Sequence, residues 1–157
     1  MTETAQSSED TVTQMTEIVL PQHANALGTA FGGTVMSWID VCAAVTAQRH
    51  CRRVAITASV DDLHFRAPLR VGDVVVLAAR VNAVFNTSLE VGVTVDREDP
   101  SSRQLVRCVE ARLTFVCVDD AGKPVRVPPL SLTSDADRAI AEQALERREH
   151  RLRSRGR

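Results

Sequence analysis

The sequence predicts an α+β fold: an antiparallel sheet of about five strands wrapped around one long central helix, plus a polar helix at the C-terminus. Three observations carry this expectation. Residues 34–50 repeat apolar side chains at helical spacing, and four later segments between residues 54 and 118 alternate with period two. The connections between those later segments are of hairpin length, so successive strands must run antiparallel.

Taken in chain order, Met1–Asp10 holds no apolar residue beyond Met1 and Ala5 and is expected to be a disordered tail. Thr11–Leu20 is rich in β-branched residues and reads as a first strand closed by Pro21. Asn25–Gly33 is a loop, broken by Gly28, Gly32 and Gly33. Thr34–His50 is apolar nearly all round, the pattern of an enclosed helix. Arg49, His50, Arg52 and Arg53 gather at its C-terminal end, where the helix dipole favours positive charge. Val54–Ala67, Asp73–Val84, Ser88–Asp96 and Leu105–Val118 follow as strands, separated by turns at Arg70-Val71-Gly72, Asp96–Ser102 and Asp119–Gly122. Pro128-Pro129 ends the sheet region, and Ser134 caps a polar helix reaching to about Arg153. The division is thus a tail over 1–10, one domain over 11–130, and a C-terminal helix and basic tail over 131–157. A sheet of long strands with a single helix leaves much surface to cover, which points to self-association.

Composition narrows the function classes. At 157 residues the chain is one domain, long enough to bury roughly 70% of its unfolded surface. A net charge of −1 gives no electrostatic case for nucleic acid or an anionic membrane. No apolar run approaches the roughly 18 residues that span a bilayer, and no secretory leader is visible, so the protein is expected to be cytoplasmic. Cys42, Cys51, Cys108 and Cys117 lack CxxC spacing and read as free thiols of a reducing compartment. His23, His50 and His64 do not form a metal set. The six arginines between Arg147 and Arg157 read as a solvated helix end.

The segments ANALGTAFGGTVMSWID, ITASVDDLHFRAPLRVGD, TSLEVGV, LTFVCVDDAGKPVRVPPL and RREHRL stand in this order along the chain. Together they resemble the hotdog-fold acyl-CoA thioesterases over roughly Val12–Arg151. The resemblance implies a sheet curled around the central helix, dimers joined edge to edge, and trimers of dimers. It also implies active sites at the dimer interface that hydrolyse fatty acyl-CoA to fatty acid and coenzyme A, with coenzyme A entering only as part of the substrate and no cofactor or metal. Asn25 and Asp40 occupy the positions of the family's catalytic pair, and Thr57 and Ser88 those of residues that position the reacting groups. The chain departs from many relatives at Val84-Phe85-Asn86 and at His64, which bears on substrate preference. His64-Phe65 superficially matches the His-Phe of hotdog dehydratases, but Arg66-Ala67-Pro68 follows it and Asp40 lies earlier, on the helix.

The chemistry can be read from the residues themselves. Thioester hydrolysis needs an activated water and a place for charge on the carbonyl oxygen. The N–H groups near Gly32 and Gly33, at a helix N-terminus and free of side chains, are suited to be the oxyanion hole. Asp40, expected to be desolvated beside Trp38, Ile39 and Val41, can act as general base on water or attack the thioester directly; the sequence leaves both open. Seven residues separate Gly33 from Asp40, about 10 Å or two turns, so Asp40 cannot meet its own helix N-terminus. A two-fold partner can bring one chain's Asp40 to the other's Asn25 and glycine turn. Asn25 then orients the water or the carbonyl. Arg66, Arg70, Arg49, Arg52 and Arg53 are candidates for the coenzyme A phosphates, since guanidinium offers bidentate donors. The rival class is a non-catalytic acyl-CoA sensor or scaffold, which would not need the Asn–Gly-Gly–Asp set.

Overall fold

The structure, a computed structural model, describes residues 4–156. Seven strands and two long helices follow one another: β1 (Gln6–Ser7), β2 (Thr13–Ile18), α1 (Gly32–Cys51), β3 (Ala55–Phe65), β4 (Val74–Val84), β5 (Ser88–Glu98), β6 (Leu105–Cys117), β7 (Leu130–Ser131) and α2 (Asp135–Arg155). Five strands form one antiparallel sheet in the order β2-β4-β5-β6-β3, so β2 and β3 are its edges. The sequence predicts this architecture.

Alternation along the three inner strands builds the core. Val75, Leu77, Ala79 and Val81 on β4, Leu89, Val91, Val93 and Val95 on β5, and Val109, Ala111, Leu113 and Phe115 on β6 are all buried on one face. Against them α1 turns Val35, Ile39, Cys42, Ala43, Thr46 and Ala47. The small residues at the middle of this face let the sheet curl close around the helix. Thr46, the polar member, donates its hydroxyl at 2.7 Å to the hydroxyl oxygen of Thr13. The helix ends at Arg52, which adopts the left-handed conformation at φ 54° and returns its N–H to Gln48 O at 2.7 Å.

Three features differ from the sequence expectation. First, of the tail expected to be disordered, Met1–Glu3 lie outside the described residues, but Gln6–Ser7 pair in parallel with Leu130–Ser131, and Ser8 and Thr11 are buried. The pairing is fixed by backbone groups, Gln6 N–H donating to Pro129 O at 3.1 Å, which side-chain patterning does not reveal. Secondly, α1 is enclosed on one side only. Met36 and Val41 remain 42% and 52% exposed, beside exposed Gly32, Gly33, Ser37 and Asp40.

Thirdly, the tail arginines are not simply solvated. The outer face of the sheet carries Arg80, Asn82, Glu90 and Thr114, and α2 lies across it. Arg147 donates to both oxygens of Glu90, at 2.7 and 3.1 Å, and Arg151 pairs with Asp61 at 3.0 Å. Arg80 of the sheet reaches Asp137 near the start of α2 at 2.8 Å. Glu90 is fully buried and also accepts from Asn82 Nδ2 at 2.9 Å. Only Ala144 of α2 is fully buried, so ion pairs rather than apolar packing fix how this helix lies on the sheet.

Removing one partner of a buried pair strands the other charge. Arg147→Ala should therefore destabilise the protein by about 3–5 kcal/mol in urea unfolding, while replacing Arg147 and Glu90 together by leucine should recover most of the loss.

His50 gives a second expectation. Its buried ring donates from Nε2 to Pro128 O at 2.8 Å, and burial lowers its pKa below the ordinary 6.5. Above that value both folded and unfolded chains carry a neutral ring and nothing is lost. Below it the unfolded chain takes the proton first, so stability falls by at most about 1.4 kcal/mol per pH unit. Melting curves from pH 7 to pH 5 should show this fall in the wild type, and His50→Gln should flatten it.

Candidate active site

The loop before α1 is organised by Asn25. Its side-chain oxygen accepts from Leu27 N–H at 2.9 Å and Thr29 N–H at 3.2 Å, and its amide nitrogen donates to Thr29 Oγ1 at 2.8 Å. Gly28 sits at φ 75°, a conformation that favours glycine, and donates to Asn25 O at 3.0 Å. Bonds to the segment after β3 fasten the loop: Ala30 N–H to Leu69 O at 2.7 Å and Val71 N–H to Gly28 O at 3.0 Å. At its start the His23 ring stands edge-on to Trp38 of α1, with centroids 5.1 Å apart.

The first turn of α1 is open. Phe31 occupies the cap position without a side-chain cap, and its carbonyl receives the N–H groups of Thr34 and Val35. The N–H groups of Gly32 and Gly33 take part in none of the described hydrogen bonds. A side chain at Gly33 would meet nothing within 4 Å, whereas at Gly32 it would touch the Phe65 ring at 3.5 Å. These are the amides the sequence offers as an oxyanion hole.

From Gly33 an exposed stripe runs along α1 through Met36 and Ser37 to Asp40. Asp40 itself is exposed, so the desolvation expected from its neighbours is not supplied within this chain. Its Oδ1 accepts from Thr57 Oγ1 at 2.7 Å. Asp40 and Thr57 are therefore brought together, one from the helix and one from the edge strand β3.

Ser88 is not brought to them. It opens β5 opposite Val116, next to Leu89, which pairs with Phe115 in the same row as Thr57. Alternation along the strand turns Ser88 to the other face of the sheet. The five arginines also separate. Arg66 and Arg70 lie beside the glycine turn: Arg70 pairs in a β-bridge with Thr29, and Arg66 lines a cleft of about 300 Å³ with Thr29, Val35, Phe65 and Leu69. Arg52 and Arg53 stand past the far end of α1, roughly 28 Å from Gly32 by helical rise. Arg49, on the last turn, spends its guanidinium on Val12 O and Thr13 Oγ1, at 3.1 and 3.2 Å.

The sequence marks Phe65 only as half of the His-Phe likeness, although its ring flanks the glycine turn. The available signal is its place at the end of a strand, just before the Arg66-Ala67-Pro68 corner. Among the described residues no cluster of His, Cys, Asp or Glu is placed to hold a metal ion, and no helix is long and apolar enough to cross a membrane.

Because space around Gly33 is open, Gly33→Ala should stabilise α1 by about 0.5–1 kcal/mol in thermal or urea unfolding.

Comparison with known proteins adds a second line. The family model described as the thioesterase superfamily matches residues 27–103. YkhA of Bacillus subtilis, an uncharacterised acyl-CoA thioester hydrolase, is 37% identical over 136 residues, covering 87% of this chain and 79% of that protein. An acyl-CoA hydrolase from Staphylococcus aureus, solved with butyryl coenzyme A, coenzyme A and coenzyme A disulfide, superposes with a TM-score of 0.91 at 33% identity, covering 97% of this chain and 93% of the other. That hydrolase has also been solved as variants in which an aspartate, an asparagine or a threonine is replaced by alanine. A hexameric acyl-CoA thioesterase superposes with a TM-score of 0.90 at 35% identity, covering 96% of each chain. The chain spans only 24% and 26% of the length of two mouse thioesterases that it matches at 37% and 38% identity, acyl-coenzyme A thioesterase 11 and acetyl-coenzyme A thioesterase.

Proposed function

The chain belongs to the thioesterase superfamily and has its hotdog fold, and from that premise we propose that it hydrolyses fatty acyl-CoA to free fatty acid and coenzyme A. The observation that carries the reading is Asp40, held at one oxygen by the Thr57 hydroxyl 2.7 Å away, on an exposed stripe that starts at two free glycine amides. The Staphylococcus aureus variants support the choice of residues. The asparagine, aspartate and threonine replaced there stand 15 and 17 residues apart, the same spacing as Asn25, Asp40 and Thr57.

One chain supplies two half-sites, because Asp40 lies about 10 Å along α1 from Gly33. The other halves come from a second copy. β3 is an edge strand with Ile56, Val60 and Phe65 exposed at 51%, 44% and 52%, next to the uncovered side of α1. Pairing two β3 strands about a two-fold axis joins the sheets and lays the α1 helices side by side, with Asp40 facing the partner's loop and glycine turn. It also covers Met36 and Val41 and removes Asp40 from water. The hexameric relative supports further assembly as a trimer of dimers.

In this site the thioester carbonyl oxygen points to the Gly32 and Gly33 amides, and Asn25 orients the carbonyl or the water. Thr57 fixes Oδ1 of Asp40 and leaves Oδ2 free to take a proton from water as the water oxygen attacks the carbonyl carbon. Collapse of the tetrahedral intermediate breaks the C–S bond, and the proton passes from Asp40 to the departing sulfur. If Oδ2 attacks directly, the product is an enzyme anhydride that water then opens. Either route needs only water. Arg66 and Arg70, beside the turn, are the candidates we favour for the coenzyme A phosphates, Arg66 while also paired with Glu110 at 2.9 Å. A cytoplasmic setting suits both this substrate and the four free cysteines.

The test is thiol release from a panel of short to long acyl-CoAs. The wild type should turn over part of the panel, and Asp40→Asn should lose about 10²–10⁴ in rate. Binding of acyl-CoA without thiol release would instead make the protein a sensor. Gly33→Ala, expected to fold at least as well as the wild type, should lose activity because its methyl group crowds the amides. One turnover in ¹⁸O-water bears on the route: label in Asp40 shows that the carboxylate was the nucleophile and that water opened the anhydride at its Asp40 carbonyl, whereas direct attack of water puts the label only in the fatty acid.

A further inference from the structure

Strand β3 does not pair regularly with β6. Its register slips twice, between Thr57 and Ser59 and between Val60 and Asp62, leaving Ala58 and Asp61 as extra residues. The first slip decides where Thr57 points. Thr57 lies opposite Phe115, whose side chain is in the core, while Ser59 lies opposite Thr114 on the outer face under α2. In a regular strand residues 57 and 59 would share a face. The slip lets Thr57 face α1 and Asp40 while Ser59 faces the other way. Bulges beside active sites commonly re-aim a side chain in this manner.

The second extra residue, Asp61, ties the irregularity down. Its carboxylate is nearly buried, the side chain being 9% exposed. Oδ1 accepts from Ser59 Oγ at 2.7 Å and from Arg151 Nη1 at 3.0 Å, and Oδ2 accepts from Thr114 Oγ1 at 2.5 Å. One group thus gathers both slips of β3, the neighbouring strand β6, and the far end of α2. The next residue, Asp62, is held separately, by Arg112 at 2.8 Å and His64 at 2.5 Å. None of the described hydrogen bonds or ion pairs joins Asp61 to Asp40 or to the glycine turn.

We propose that Asp61, clamped by Arg151 of the C-terminal helix, is a positioning residue that holds β3 in the slipped register presenting the Thr57 hydroxyl to Asp40. The proposal rests on the thioesterase reading for its kinetic consequence but not for its geometry. It makes α2, on the opposite face of the sheet, part of the apparatus that orients the reacting carboxylate. Loss of the clamp leaves the core intact and lets the strand relax, so that Thr57 turns from Asp40.

The experiment is a double-mutant cycle on the full chain. Asp61→Asn should lower kcat for acyl-CoA hydrolysis by about 10-fold to 100-fold with KM unchanged, the range expected for a small misplacement of a reacting group. In a Thr57→Val background, where there is no hydroxyl to position, Asp61→Asn should lower kcat no further. Arg151→Ala should follow Asp61→Asn in the same direction, and Arg151→Lys should restore part of the rate. An equal fall in both backgrounds, or an unchanged kcat in the single variants, overturns the proposal. The methyl resonance of Thr57 gives a readout independent of turnover. It should shift in Asp61→Asn and in Arg151→Ala, and a stationary resonance in either folded variant overturns the proposal. A wild type that releases no thiol would remove the thioesterase reading while leaving this spectroscopic test in force.

Discussion

A helix that is apolar nearly all round must be covered on two sides, and one curled sheet can cover only one. The rest of this structure follows from that constraint. The sheet takes the side of α1 that carries Ile39, Ala43 and Ala47, and leaves the side that carries Met36 and Val41 open. The exposed stripe with Gly33 and Asp40 lies on the open side, where the second copy proposed above would sit. Folding and site assembly draw on the same uncovered surface. In the proposed dimer the hydrophobic demand that joins two chains would also take water from Asp40 and give its carboxylate a drier setting, in which electrostatic interactions strengthen.

The two faces of the sheet solve different problems. Toward α1 it is apolar and closely packed. Toward α2 it is a grid of charges, with Arg80–Asp137, Arg147–Glu90 and Arg151–Asp61 as the fastenings. Ion pairs of this kind contribute little net stability compared with apolar packing, because the charges give up hydration to meet. They do specify geometry. A bidentate guanidinium accepts one orientation of its carboxylate, so α2 is fixed in rotation and position although only Ala144 is fully buried beneath it.

Much of this could be read from the chain. The helix and the long strands declare themselves by period, and Asp40 stands out as the one carboxylate of an apolar helix. Thr57 is different: a threonine in a strand is ordinary, and the motif rather than the chemistry drew attention to it. Ser88 was grouped with Thr57 by the same motif, but its neighbour Leu89 faces the core, and alternation turns Ser88 away. The tail arginines looked solvated because their partners stand 57 and 90 positions back, too far for local spacing to reveal. The register slips in β3 left no trace at all. A slip is a property of two strands, and neither strand's sequence carries it alone.

The two edges of the sheet are unlike, and this bears on how growth stops. Strand β3 runs for 11 residues with apolar side chains showing, whereas β2 has only 6 and is followed at once by the turn at Pro21–His23. Addition at both edges would create an endless ribbon, since each new copy would offer a fresh edge. Addition at β3 alone is self-limiting: the same strand serves on both partners, and the first encounter uses it up. In the β3-joined dimer proposed above, the short edge at β2 would terminate the extended sheet at either end and leave a closed, countable assembly.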